Sequence, residues 1–147
     1  MRILVAIDDS AFSEAVVQAV ITQAPPKGSE VRVLHVIEPL PAIYGGAEWG
    51  YMMDWQAVTR EQRKQAEGLM ARAAQTLRAA GFQITTAIEE GIPKAVILDA
   101  ASKWPADLIM LGSHGRRALD RFLLGSVSEA VARHAPCSVQ IVRAAKR

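Results

Sequence analysis

The residues best suited to chemistry lie near the end of the chain. Gly112-Ser113-His114-Gly115 is followed, after nine residues, by Gly125-Ser126-Val127-Ser128. The run before them, Asp107-Leu108-Ile109-Met110-Leu111, reads as a buried parallel strand, and Ser128 to His134 reads as a helix. Glycines between a strand and a helix let the backbone turn sharply and leave N–H groups uncovered. The helix start adds partial positive charge. Such an arrangement is a phosphate cradle if loop and helix start face one space. Ser126-x-x-Glu129 has the capping-box pattern and predicts a helix start capped by Ser126, whose hydroxyl can also donate to a phosphate. His114, inside the loop, can donate to a phosphate or position a water. The spacing matches neither the Gly-Lys-Ser/Thr ending of a P-loop nor the Gly-x-Gly-x-x-Gly of dinucleotide folds.

The elements that must hold this loop alternate along the chain. Ile3 to Ile7 is a continuous apolar run ended by Asp8-Asp9-Ser10, where Ser10 or Asp9 can cap a helix with Ala15, Val16, Ala19 and Val20 on one face. Pro25-Pro26-Lys27-Gly28 stops that helix, and Val31 to Ile37 gives a second strand. Leu40 to about Asp54 is irregular and carries Tyr44, Trp49 and Tyr51, a lid, a protein-binding surface or local packing. An amphipathic helix follows, with Ala66, Leu69, Met70, Ala73, Leu77 and Ala80 on one face and Gly81 as its stop. Phe82 to Ile88 is the third strand, Pro93 opens a third helix, and Ser138 to Val142 is the fifth strand. The pattern calls for one α/β domain over residues 1–147: a parallel sheet with helices on both faces. Ligands of open sheets bind beyond the carboxyl ends of the strands, where the strand order reverses. Asp8-Asp9 ends the first strand and Gly112 the fourth, so both face one crevice if those strands are neighbours.

Bulk properties narrow the function classes. The chain has 147 residues, 50% hydrophobic and 22% charged, enough for one self-sufficient core. A net charge of +2 without a dense basic stripe argues against nucleic acid. Arg116, Arg117 and Arg121 beside the loop, and the Arg143, Lys146 and Arg147 tail, are the nearest candidates for such a stripe. Cys137 is a single cysteine, which excludes a disulfide framework and reads as a buried thiol. His35 and His134 read as structural or surface residues, and the spacings suggest no metal cluster. The chain enters a strand at once without a signal-peptide pattern, and no apolar run approaches the roughly 20 residues of a membrane span. A cytoplasmic protein without membrane contact is expected.

The Gly-x2-Gly-x9-Gly-Ser pattern resembles the ATP-binding motif of the universal stress protein family. Further segments share the likeness: Ile3 to Asp8 with Ser10, His35-Val36, Gly91-Ile92-Pro93, Asp107 to Gly115 and Ala135-Pro136-Cys137-Ser138-Val139. The resemblance implies a five-stranded parallel sheet in the order 3-2-1-4-5. It implies adenine contacts from Asp8 and the Val36 backbone, a phosphate loop at Gly112 and Gly115, and helix-start donors at Gly125, Ser126 and Val127. His114, Arg116 and Ser128 complete the expected nucleotide site. ATP is the implied ligand, with Mg²⁺ arriving on its phosphates. A homodimer through the last strand, Cys137 to Arg143, is implied as well. No catalytic residue stands out, so an ATP-dependent stress or signalling module with slow or no hydrolysis is expected. A weak ATPase or phosphotransferase using His114 with Arg116 or Arg117 is the alternative, and a nucleotide-free interaction protein a third.

Overall fold

Alternation along each strand sorts the apolar side chains onto two faces, and both faces are covered. The computed structural model describes residues 1–39, 54–115 and 124–144. In chain order the elements are β1 (Arg2–Ala6), α1 (Phe12–Gln23), β2 (Glu30–Ile37), α2 (Trp55–Ala79), β3 (Gln83–Glu90), α3 (Pro93–Lys103), β4 (Leu108–Gly112), α4 (Ser126–His134) and β5 (Ser138–Val142). The sheet is parallel throughout, in the order β3-β2-β1-β4-β5. The expected order is therefore the observed one. Val5 lies opposite Val33 on one side and Met110 on the other, so the β1 and β4 ends are adjacent.

Ile3, Val5, Val31, Val33 and Met110 point to one face, where Val16 and Val20 of α1 and Met70 and Leu77 of α2 bury them. Leu4, Leu34, Ile109 and Leu111 point to the other, under Ile97 of α3 and Val131 of α4. Burial on both sides explains the near-continuous apolar strands. The predicted face of α2 holds, with Ala66, Met70, Ala73 and Leu77 buried, and its cap is Asp54, whose side chain accepts from the Ala57 N–H at 3.0 Å. Gly81, at φ +91°, ends that region in the left-handed backbone that favours glycine. Pro93 takes the first position of α3, as expected.

Two local expectations fail. Neither Ser10 nor Asp9 caps α1: the N-cap is Ala11, in helical backbone and without a side-chain cap bond. Ser10 is engaged elsewhere, since its N–H and its hydroxyl both donate to Asp8 Oδ1. Cys137 is half-buried rather than buried, packed against the second core, and desolvation followed by the Asp107 charge pushes its thiol pKa up. The irregular segment at residues 40–53 lies outside the described residues, as do Arg116, Arg117, Arg121, Lys146 and Arg147. Among the described residues no helix is long and apolar enough to cross a membrane.

Leu77 is fully buried between α2 and the sheet. Leu77→Ala should lower unfolding free energy by about 2–5 kcal/mol, the usual cost of a core cavity of this kind. Urea denaturation followed by circular dichroism measures it.

Candidate functional site

The strand order reverses between β1 and β4, and a cavity of about 750 Å³ opens there, at the carboxyl ends of the strands. That size falls within the roughly 300–1,000 Å³ of small-molecule sites. Asp8, Val36, Gly112, His114, Gly115, Gly125, Ser126, Val127 and Ser128 all line it. Of the residues expected at the site, Arg116 alone lies outside the described residues.

The loop and the helix start face one space because they are bonded to each other. The buried Ser113 donates its N–H to the Val142 carbonyl of β5 at 2.8 Å. Its carbonyl accepts the Gly125 N–H at 2.8 Å and the Ser128 hydroxyl at 3.0 Å. Helix α4 begins with Gly125 as N-cap, and the Glu129 N–H reaches the Gly125 carbonyl at 2.9 Å. The N–H groups of Ser126, Val127 and Ser128 therefore precede the helical ladder and have no partner within it. The capping-box expectation fails here. Ser126 occupies the first helical position and no side-chain cap bond forms, so its hydroxyl is not spent on capping.

The glycines serve by lacking a side chain. Gly112, Gly115 and Gly125 are absent from the positive-φ glycines, so none needs a left-handed backbone. A Cβ on Gly112 would stand 2.7 Å from Phe12 Cβ, one on Gly125 3.2 Å from the Ser113 carbonyl oxygen, and one on Gly115 2.9 Å from Asp8 Oδ2. The space a Gly115 side chain would fill is the space between the loop and Asp8. A group rich in acceptor oxygens, such as a polyphosphate, fits this cradle of uncovered amides.

Asp8 is held by its own turn. Oδ1 accepts from the Ser10 N–H at 2.9 Å, from the Ser10 hydroxyl and from the Ser13 hydroxyl at 3.1 Å. The Asp8 N–H in turn donates to Ser13 Oγ at 2.8 Å. His35 ties the neighbouring strand end: its Nδ1 lies 2.9 Å from the Ile7 carbonyl, which can only accept, so Nδ1 carries the proton. His134 Nδ1 likewise lies 2.9 Å from the Ala130 carbonyl, at the end of α4. Both histidines are bonded to backbone carbonyls, and His35 also lines the cavity. His114 differs. Its Nδ1 pairs with Ser113 Oγ at 3.0 Å and its ring packs on Phe12, while its buried Nε2 has no partner among the described residues. An unpaired buried polar atom is costly, so a ligand group arriving there would be favoured.

Several lining residues escaped the sequence reading. Gln62 and Gln65 come from α2, Lys94 from the first turn of α3, and Ile92 stands exposed at the rim. For Ile92 and Lys94 the one nearby signal is Gly91-Ile92-Pro93, whose strand-to-helix position marks a third strand end on the same crevice; Gln62 and Gln65 have none. Gly91 is at φ +147° and donates its N–H to the Ile37 carbonyl at 3.1 Å, which brings the start of α3 over the β2 end. Among the described residues no group of three metal-ligating side chains occurs.

Fold and site together define a doubly wound α/β protein with an anion-adapted crevice at its switch point. The universal stress protein family model matches residues 1–143, and the chain belongs to that family. It is 32% identical over 149 residues to a universal stress protein of Synechocystis, covering 97% of each chain. Among solved structures it is similar to hypothetical protein MJ0577, with TM-score 0.84, 28% identity and coverage of 99% and 97%. It is also similar to the universal stress protein of Archaeoglobus fulgidus in complex with dAMP, with TM-score 0.68, 26% identity and 97% coverage of both chains.

Gly112→Ala should destabilise the fold by about 1–3 kcal/mol, because Phe12 Cβ, at the start of α1, cannot yield without moving the helix. Gly115→Ala should cost less than Gly112→Ala, since the atom it meets ends the Asp8 side chain, whose shift strains only its bonds to Ser10 and Ser13. Thermal denaturation of both variants tests the contrast.

Proposed function

We propose that this universal stress protein is an ATP-binding module whose conformation or partners depend on nucleotide, with slow or no hydrolysis. The observation that carries the reading is the convergence of the Gly115 cradle and the uncovered amides of Ser126, Val127 and Ser128 on one cavity. Backbone N–H groups at a helix start suit a phosphate chain. The Val36 backbone at the end of β2 is the base contact, and the dAMP complex of the Archaeoglobus relative supports an adenine nucleotide. Mg²⁺ would arrive on the phosphates, as that ion commonly does.

Phosphoryl-transfer catalysis needs positioned charge and a group that orients the nucleophile. Asp8, the carboxylate beside the cradle, is committed to its turn through Oδ1. The alternative of a weak ATPase or phosphotransferase is favoured by one feature, the unpaired Nε2 of His114. Multiple turnovers that vanish in His114→Ala would establish that alternative; their absence in the wild type would support a binding module.

On this reading the protein acts in the cytoplasm as a homodimer through Cys137 to Arg143. Strand β5 forms one edge of the sheet, and Val139, Gln140, Ile141 and Val142 stay half-exposed. An edge strand presents unpaired N–H and C=O groups, which suit a self-complementary two-fold contact. Sedimentation at micromolar concentration should give the mass of a dimer; a monomer alone would remove this part.

The nucleotide site has its own test. Gly115→Val should weaken ATP binding by about a hundredfold or more, ~2.8 kcal/mol, with an unchanged circular dichroism spectrum. Isothermal calorimetry reads it, and undiminished affinity would refute the site.

A further inference from the structure

The ladder between β1 and β2 stops short of the end of β2. In parallel pairing, successive residues of a strand bond alternately to its two neighbours. The even-numbered residues of β2 face β1: the Glu30 N–H reaches the Met1 carbonyl at 2.9 Å, and the Leu34 carbonyl accepts the Ile7 N–H at 3.0 Å. In that register the next rung would run from the Val36 N–H to the Ile7 carbonyl. It is not formed. The Ile7 carbonyl instead receives Nδ1–H of the buried His35 at 2.9 Å. On its other side β2 continues, with Val36 opposite Glu89 and Ile37 opposite Glu90 of β3. Beyond Ile7 the chain is drawn out of the sheet: the Asp8 N–H donates to Ser13 Oγ at 2.8 Å, and the Asp8 carbonyl accepts the Ser13 hydroxyl at 2.6 Å. The Val36 backbone is thus turned toward the side that β1 has left, and Val36 and His35 both line the cavity.

We infer that His35 is a positioning residue for the nucleotide's base: by donating Nδ1–H to the Ile7 carbonyl, it keeps the Val36 amide from completing the ladder. The inference rests on the proposed nucleotide reading of the cavity and says how its base end is kept open. Backbone N–H and C=O groups are obligatory bonding groups, and a strand amide beside a neighbouring strand's uncovered carbonyl closes into a rung. An imidazole seated on that carbonyl takes the place of the rung and holds the two backbones apart where the rung would join them. Val36 then offers an N–H and a C=O on one side, the complement of the ring nitrogen and amine that lie side by side on adenine. The role needs only a donor at the position of Nδ1, so a different side chain that supplies one should preserve the site.

The test compares the wild type with His35→Leu, which removes the donor, and His35→Asn, whose side-chain amide nitrogen stands close to the position of Nδ1. Without ligand, hydrogen exchange of the Val36 amide should slow about tenfold or more in His35→Leu as the rung closes, whereas a role in packing alone would speed it. Affinities for ATP, by calorimetry, and for adenosine, by amide-shift titration, should both fall about fivefold to tenfold in His35→Leu. That is the scale of one hydrogen bond, and the loss is shared because the contact belongs to the base. His35→Asn should match the wild type within about twofold in every measurement. Unchanged or faster Val36 exchange in His35→Leu overturns the inference, as does a loss of ATP affinity that spares adenosine. An asparagine variant that behaves like the leucine variant also overturns it and gives the imidazole a direct contact with the ligand. A wild type that binds neither compound removes the nucleotide reading, while the exchange comparison, made without ligand, still decides what His35 does to the ladder. Should His35→Leu fail to fold, NMR couplings across hydrogen bonds in the wild type answer instead. The Ile7 carbonyl carbon should couple to His35 Nδ1; coupling to the Val36 amide nitrogen, or to neither, overturns the inference.

Discussion

The site depends on one carbonyl. Ser113, the first residue beyond β4, accepts the Gly125 N–H at 2.8 Å and the Ser128 hydroxyl at 3.0 Å through the same oxygen. Its N–H is anchored to Val142 of β5 at 2.8 Å. Strand end, helix start and edge strand are thereby locked into one unit. Ser113 and Ser128 are both buried, where a hydrogen bond left unmade is expensive, so the two ends of the loop cannot drift apart cheaply. Everything that faces the crevice from α4 inherits its position from this tie.

Local chemistry around the tie is a matter of room. Gly112 lets Phe12 approach, Gly125 lets the loop close on the helix, and Gly115 keeps space open before Asp8. The parallel sheet then supplies the opposite wall. Because β1 lies between β2 and β4, the Asp8 turn stands between the Val36 backbone and the glycine loop. The two cores explain why this arrangement is rigid: the apolar residues of β1 alternate between them, Ile3 and Val5 to one, Leu4 to the other. A strand held from both faces cannot slip register without exposing buried side chains.

Much of this was legible in the residues. Continuous apolar strands alternating with amphipathic helices define a parallel α/β sheet, and Pro93 and Gly81 mark helix limits by backbone chemistry alone. The order of the strands came through family resemblance, because pattern alone does not say which strands are neighbours. The caps were misread for a physical reason. Serine near a helix start has several backbone and side-chain partners to choose from. Ser10 bonds Asp8, and Ser128 rather than Ser126 turns back on the loop, donating its hydroxyl to the Ser113 and Gly125 carbonyls. Gln62, Gln65 and Lys94 reach the cavity from helices distant in sequence, and nothing in their spacing marks them. The glycine pattern announced a cradle, but only the fold reveals that its glycines make room for neighbouring groups without adopting unusual backbone angles.

On the proposed reading, the amides at the start of α4 and the Gly115 loop receive the phosphates of a nucleotide. Amide chemical shifts during titration with ATP and, separately, with adenosine test it most directly. On this account ATP moves the Gly115, Ser126, Val127 and Ser128 resonances strongly, while adenosine leaves them nearly still and perturbs residues near Val36. Equal perturbation of those four amides by both compounds, or no perturbation of them by ATP, would contradict it.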